Sequence, residues 1–353
     1  MRINFFEKKY QYIGLDVNEH AIKALQFFRK GGHTSLKALL NAPLPKGLIK
    51  DNTFLDANKL SEFIKLNLGR PQFGSFSTKR VIISLPESKS FVRVMEMTAM
   101  EDSKAEVAIM FEAEAYIPVP MDQVYFDWQI LSKTESTMQV LLVASLKEYV
   151  DKFMEVIEDA GLKLCGIEVE AQSVARALVP ADVDEPVLIA DIDALKTSLV
   201  MVEHGVLQFT SSVPVAGNTF SDQIVKELKL GAQEAEKLKR DVGLANTVEY
   251  PNLKIALAPV LENLASEIKN ILKFHYDHSE AHISKVLLTG GGAKLLHIND
   301  MLTPLLEQFA QIEVVVANPL EHVPNLVHST LTPYEALSFT TPIGLALWER
   351  DIK

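Results

Sequence analysis

The sequence is short of cysteine, of long apolar runs and of positive charge, and each shortage removes a class of protein. A single cysteine in 353 residues rules out an internal disulfide. Cys165 lies in the apolar run LKLCGIEV with no activating histidine or cation beside it, so it reads as a small buried hydrophobe rather than a nucleophile. No apolar segment approaches the roughly 20 residues that span a bilayer, which implies a soluble chain. The opening MRINFFEKKYQ lacks a signal-peptide core and reads as a lead-in to the first strand. Its Phe5 and Phe6 beside Arg2, Lys8 and Lys9 would hold a membrane surface only marginally. With 35 Lys and Arg against 46 Asp and Glu, the net charge of −11 argues against a surface built to displace counterions from nucleic acid. Hydrophobic residues, by contrast, make up 48% of the chain, enough at this length for two lobes.

Periodicity gives the order of elements. Ile13–Leu15 and Ala21–Phe28 read as a hairpin, Ser35–Ala42 as a third strand, and Leu55–Gly69 as a helix stopped by its glycine. RVIISLP is a buried strand. The stretch from Ser90 to about Ala160 then reads as a β-α-β-β-α unit of its own: FVRVMEM, SKAEVAIMFEAEAYI, VYFDWQIL, MQVLLVASL and KEYVDKFMEVIEDAG. GIEVEAQSVARALVP resumes as strand and helix, so the unit is an insertion. Val187–Ile192, Thr197–Val202 and Gly205–Val213 repeat the opening three strands, which suggests duplicated lobes. Helices follow at Asn218–Leu230, at Ala232–Gly243 and along LAPVLENLASEIKNILKFHYDH. VLLTGGGAK and EVVVANP are strands of the second lobe, and PYEALSFTTPIGLALWER reads as one final helix.

Three signatures carry chemistry. IGLDVNEHAIK and VLIADIDALKTSLV each run an apolar strand into an aspartate and a tight polar loop, about 175 residues apart, and VLLTGGGAK ends a strand in three glycines. Tight hairpins present backbone N–H groups to phosphate oxygens, glycine permits close approach, and Mg²⁺ prefers a few carboxylates with phosphate oxygens. Each signature alone is weak, since a strand-end aspartate or a glycine run is often only a turn. In this order they form the skeleton of an α/β, actin/Hsp70-like (ribonuclease H-like) two-lobed fold with an inserted α+β subdomain.

The blocks GLDVNEHAIK, EAEAYIPVPMDQVYFDWQIL, LLVASLKEYVDKFMEVIEDAGL with EVEAQSVARAL, FTSSVPVAGNTFSDQI, AEKLK, LTGGGAK and the closing IGLAL resemble the PilM family of type IV pilus assembly proteins, related to FtsA. The resemblance runs nearly the whole chain. It implies subdomain 1A at 1–89 and 160–184, 1C at 90–159, 2A at 185–217 and 286–353 with the last helix crossing back to the first lobe, and 2B at 218–285. It also implies ATP with Mg²⁺ between the lobes. Asp16 and Asp191 would orient Mg²⁺ through water, and Lys23 would approach the phosphates beside Asn18. Asp193, Thr197 and Gly217 fall at the second phosphate hairpin, Glu236 and Lys239 at the ribose and adenine edge, and Gly290, Gly291 and Gly292 where backbone passes the adenosine. The implied partner is the cytoplasmic N-terminal peptide of PilN, docking near the 1A/1C junction and holding the chain at the inner face of the inner membrane. Pilus motor ATPases and self-association belong to the same expectation.

The sequence departs from the family where glycine normally follows two residues after each hairpin aspartate, for those positions are Asn18 and Asp193. Asn18 is expected to keep a left-handed turn. A carboxylate at Asp193, about 5 Å from a phosphate charge, would cost on the order of 3 kcal/mol per charge pair, unless it points away or Mg²⁺ intervenes. The expected protein is therefore a non-catalytic or very weakly hydrolysing scaffold with a degenerate ATP cleft. A type II secretion or competence adaptor is the near alternative. A sugar or acetate kinase lacks its substrate-pocket signature here, and an FtsA-like filament protein would carry a C-terminal amphipathic helix after IGLAL. Further readings are a metal site at His275, His278 and His282, set against plain helix-end polarity; a solvated face for KLKRD; and an adaptable surface at Met95, Met97 and Met100, set against core packing.

Overall fold

A computed structural model describes residues 11–279, 281–309 and 312–348; the reading of MRINFFEKKY lies outside them. The chain builds two sheets of like construction. In the first, strands run in the order Lys163–Val169, Arg80–Leu85, Ile13–Val17, Ala21–Lys30, His33–Pro43 and Leu326–His328, with Phe73–Gly74 also paired to His33–Pro43. In the second the order is Val206–Val213, Thr197–Glu203, Val187–Ile192, Lys285–Thr289 and Glu313–Val316. Each lobe begins with an antiparallel three-strand meander, and its first strand then pairs in parallel with a later one. Parallel strands buried on both faces need near-continuous apolar runs, and IGLDV and VLIADI are buried at every residue.

The inserted unit is smaller than the sequence suggests. Ser90–Thr98, Thr137–Leu146 and Val124–Lys133 form a three-stranded antiparallel sheet, covered by the helix Asp102–Ala113 through Met95, Ile109, Val140 and Leu142. The next helix, Lys147–Asp159, belongs elsewhere. Its buried Val150, Phe153, Val156 and Ile157 share a core with Leu60 and Ile64 of the helix Ala57–Leu68. The apolar stripes of those two helices match each other, so the chain returns to the first lobe at about residue 147. Met95 is fully buried and Met97 and Met100 pack against the same core; these methionines fill space rather than present a surface.

The second lobe carries the helices Gly217–Leu228, Ala232–Asp241 and Leu253–His278, the last beginning earlier than its apolar period suggests. The expected final helix is broken: Pro333–Ala336 ends in a short 3-10 turn, Leu337–Phe339, before Thr340–Ala346 begins. Pro342 has no N–H to bond the carbonyl four residues back, and Phe339 leaves helical geometry at φ −120°, ψ 15°. Thr340–Ala346 then packs on the helix Glu170–Leu178 and on the first strand. The return to the first lobe starts before this helix, at the strand Leu326–His328 beside His33–Pro43.

Candidate functional site

Each hairpin aspartate is the penultimate residue of its strand, which brings both to the same end of their sheets, facing across the cleft. In the first hairpin Asp16 is paired in register with Lys23. The turn is held by Asn18, whose N–H donates to the Ala21 carbonyl at 3.2 Å. Its side-chain oxygen accepts from the N–H groups of His20 at 3.0 Å and Ala21 at 3.1 Å, and its amide donates to Asp16 Oδ2 at 3.2 Å. Asn18 therefore closes the turn with its side chain and is not in the left-handed region, contrary to the sequence expectation. An Asx turn needs no positive φ.

The second hairpin has the same turn: the Asp193 N–H donates to the Lys196 carbonyl at 3.0 Å. Here, however, the position matching Asn18 carries an acid. Asp193 points into the cleft, with carboxylate oxygens of Glu170, Asp191 and Asp193 all within 4.8 Å of one another. Glu170 opens the helix Glu170–Leu178 in the first lobe, so this group spans the two lobes. Asp16, one of the two residues expected at Mg²⁺, is not among the three; Asp191 is. A donor set made wholly of carboxylate oxygen fits a hard cation such as Mg²⁺.

The electrostatics follow from crowding. Burial, then Asp193 and Glu170, push Asp191 well above the usual carboxylate range. Burial raises Glu170 to about 8 against the pull of Lys196, with Asp193, Asp16 and Glu87 adding to the rise. Burial raises Asp16 to about 6, partly offset by Lys23. Burial opposes the Lys23 ammonium, but Asp193, Asp16, Asp191 and Glu170 outweigh it and hold it above its ordinary value. Lys196 crosses the cleft, 3.4 Å from Glu87 and 3.5 Å from Glu170, and Ser198 donates to Glu87 at 2.9 Å.

The other expected residues surround this centre. Gly217 opens its helix beside the second hairpin and donates its N–H to the Asp193 carbonyl at 2.7 Å. Lys239 reaches the Gly217 carbonyl at 3.0 Å, Ser221 at 2.8 Å and Glu236 at 2.7 Å, so Glu236 and Lys239 brace one rim of the cleft. Gly290, at φ +82°, lies so close to Asp191 and Ile192 that a Cβ would sit 2.5 Å from the Asp191 carboxylate, and a Cβ at Gly292 would overlap the Ile192 side chain. Gly291 alone of the three faces open space. Thr197 does not face the cleft: it is fully buried and its hydroxyl donates to the Val215 carbonyl, bracing the strand that leads to Gly217.

The family model described as type IV pilus assembly protein PilM matches residues 14–350. The chain belongs to the PilM family. A solved PilM–PilN type IV pilus biogenesis complex is 25% identical, with a TM-score of 0.78 over 96% of this chain and 98% of that one. EutJ, an ethanolamine utilization protein from Carboxydothermus hydrogenoformans, is 17% identical (TM-score 0.55, 96% and 89% covered), and MreB5 of Spiroplasma citri bound to AMPPNP is 14% identical (TM-score 0.54, 98% and 97% covered). At those identities the two show the shared fold, which is that of the actin-like ATPases. Within this PilM-family cleft, sequence reasoning missed Glu170, Glu87, Lys196 and Ser198. The available signal was Glu170 itself, an acid between the apolar strand GIEV and a helix, where an uncompensated charge is costly.

The remaining sequence candidates resolve elsewhere. His282 stacks on Tyr276 at 5.1 Å and burial lowers the pKa of His275, while the His278 side chain lies outside the described residues. Among the described residues the carboxylate trio in the cleft is the one group of three with metal-ligand geometry. Cys165 is half-buried against Tyr12, Ile82, Leu345 and Trp348. In KLKRD, Leu238 is buried and Arg240 pairs with Asp241 on the outside.

Proposed function

We propose that this PilM-family chain is a scaffold of a type IV pilus inner-membrane assembly complex, held at the cytoplasmic face by the N-terminal peptide of a PilN-like membrane protein. The carrying observation is the family match over residues 14–350 together with the likeness to the PilM–PilN complex. A groove of about 320 Å³ supports it. It lies where the inserted sheet (Gln129, Leu141) meets the helix Glu170–Leu178 (Gln172, Ala175, Val179) and the second lobe at Gly205–Leu207, and such a mixed wall suits an extended peptide. No described helix is long and apolar enough to cross a membrane, so attachment would come through the partner.

The cleft in this reading is a weak Mg²⁺–nucleotide site without appreciable turnover. Lys23, with no ion pair of its own among the described residues, and the open Gly291 backbone are placed to hold phosphate and nucleoside. Asp16 and the carboxylate trio would hold Mg²⁺, whose chemistry is to neutralise phosphate charge. Asp193 opposes any phosphate that approaches without a cation between them. Fluorescence anisotropy with the PilN-like cytoplasmic peptide tests the scaffold role. Wild type should bind and Gln129→Arg/Gln172→Arg should not; a wild-type protein that ignores the peptide with and without Mg-ATP would refute it. Calorimetry and phosphate release with Mg-ATP test the cleft, where tight binding and brisk turnover would refute the degenerate site.

A further inference from the structure

The two hairpins are built alike but differ at one atom that matters. In the first, the Asn18 amide donates to Asp16, so the strand-end carboxylate has a local partner. In the second, Asp193 occupies the matching turn position and has no proton to give to Asp191 when both are ionised. Asp191 is 4% exposed, and its carboxylate makes no hydrogen bond or ion pair among the described residues. Nearby, the Glu87 side chain is 9% exposed and its Oε1 atom is buried without a partner. The carboxyl groups of Asp16, Glu87, Glu170, Asp191 and Asp193 face the ammonium groups of Lys23 and Lys196, five acids gathered around two cations.

We infer that Glu170, Asp191 and Asp193 bind one divalent cation directly, in the absence of nucleotide, and that this ion ties the first lobe to the second. Asp193 makes the difference. With two carboxylates the site would depend on phosphate oxygens to complete the shell, whereas three carboxylates from two lobes supply a hard-cation site by themselves, with water filling the remaining positions. Asp191, a buried residue whose carboxylate has no other partner, is one ligand, and Lys196, shared by Glu87 and Glu170, helps to hold Glu170 in place. The ion stabilises this arrangement of the lobes because it brings Glu170 to the two aspartates. The inference rests on the cleft being the ligand site of the molecule, not on peptide docking.

The experiment uses the full chain stripped of nucleotide, titrated with Mn²⁺ and followed by loss of the free-ion electron paramagnetic resonance signal, with melting temperature in Mg²⁺ or EDTA as a second readout. One Mn²⁺ per chain should bind without nucleotide, and Mg²⁺ should raise the melting temperature. Asp193→Asn, which copies Asn18, should keep the fold by circular dichroism and weaken Mn²⁺ at least about tenfold, as should Glu170→Gln, since losing even a supporting residue costs a metal site 10–100-fold. Mn²⁺ that binds only when ATP is added would overturn the inference while leaving the nucleotide cleft standing. Undiminished binding in Asp193→Asn would overturn it as well.

Discussion

Replacing Gly344 by alanine should loosen the molecule at a point remote from the cleft and still be felt there. Gly344 lies in the helix Thr340–Ala346, and a Cβ on it would overlap the Ser173 carbonyl oxygen and come 2.5 Å from the Ser173 carbonyl carbon. The helix cannot step aside, because its other face is pressed on Gly14, where a Cβ would already lie 2.8 Å from the Ala346 nitrogen and 2.9 Å from the Leu345 Cβ. Overpacking of this kind costs about 1–3 kcal/mol. Moving the backbone also threatens the bond from Arg176 Nη1 to the Gly344 carbonyl, 3.1 Å long and, as a charged bond, worth about 1.5–3 kcal/mol. Alanine's helix preference returns about 1 kcal/mol, leaving a net loss of roughly 1.5–5 kcal/mol. Urea unfolding should show it as a lower midpoint. Ser173 sits one turn along from Glu170, so Mn²⁺ affinity should fall too. A variant as stable as wild type, with unchanged ion binding, would mean that the two helices do not approach as closely as described.

In EDTA, Asp193→Gly should tighten ATP binding by roughly two decades, the value of one charge pair at about 5 Å; calorimetry showing no gain would remove repulsion as the cause of a weak cleft. Stability should depend on pH with a definite sign. Folded Glu170 keeps its proton up to about 8 and Asp16 to about 6, above their ordinary 4.5 and 3.8. Between those values the folded state therefore binds more protons than the unfolded one, and stability falls as pH rises until it levels above about 8. Melts in EDTA from pH 5 to 9 check this, and a flat or rising curve would contradict it. Thr197→Val should cost about 1–3 kcal/mol by stranding the buried Val215 carbonyl while leaving ATP affinity alone. Weaker ATP binding at unchanged stability would restore Thr197 to the phosphate side.

The sequence made the frame legible because each lobe repeats one pattern, an apolar strand, an acid and a tight turn, and that pattern survives divergence. The carboxylate trio was only partly legible. Asp191 and Asp193 stand next to each other in the motif, but Glu170 comes from the other lobe, and only packing shows that it faces them. Local spacing also misassigned Lys147–Asp159, whose apolar stripe is compatible with either neighbour until Ala57–Leu68 is seen to match it. The glycines were read for their ligand-facing freedom, whereas Gly290 and Gly292 are small because Asp191 and Ile192 leave no room. Thr197 illustrates the same limit, since a hydroxyl next to a phosphate turn and one bonded to a buried carbonyl look identical in a string of letters.

The late strand Leu326–His328 has a mechanical consequence. Among the described residues the chain passes from first lobe to second once, after the helix Glu170–Leu178, and passes back once, between Glu313–Val316 and Leu326–His328, where it is stitched into the first sheet. Two covalent crossings define a line. The two crossings favour swinging about that axis over sliding, and such a swing sets how far Glu170 stands from Asp191 and Asp193.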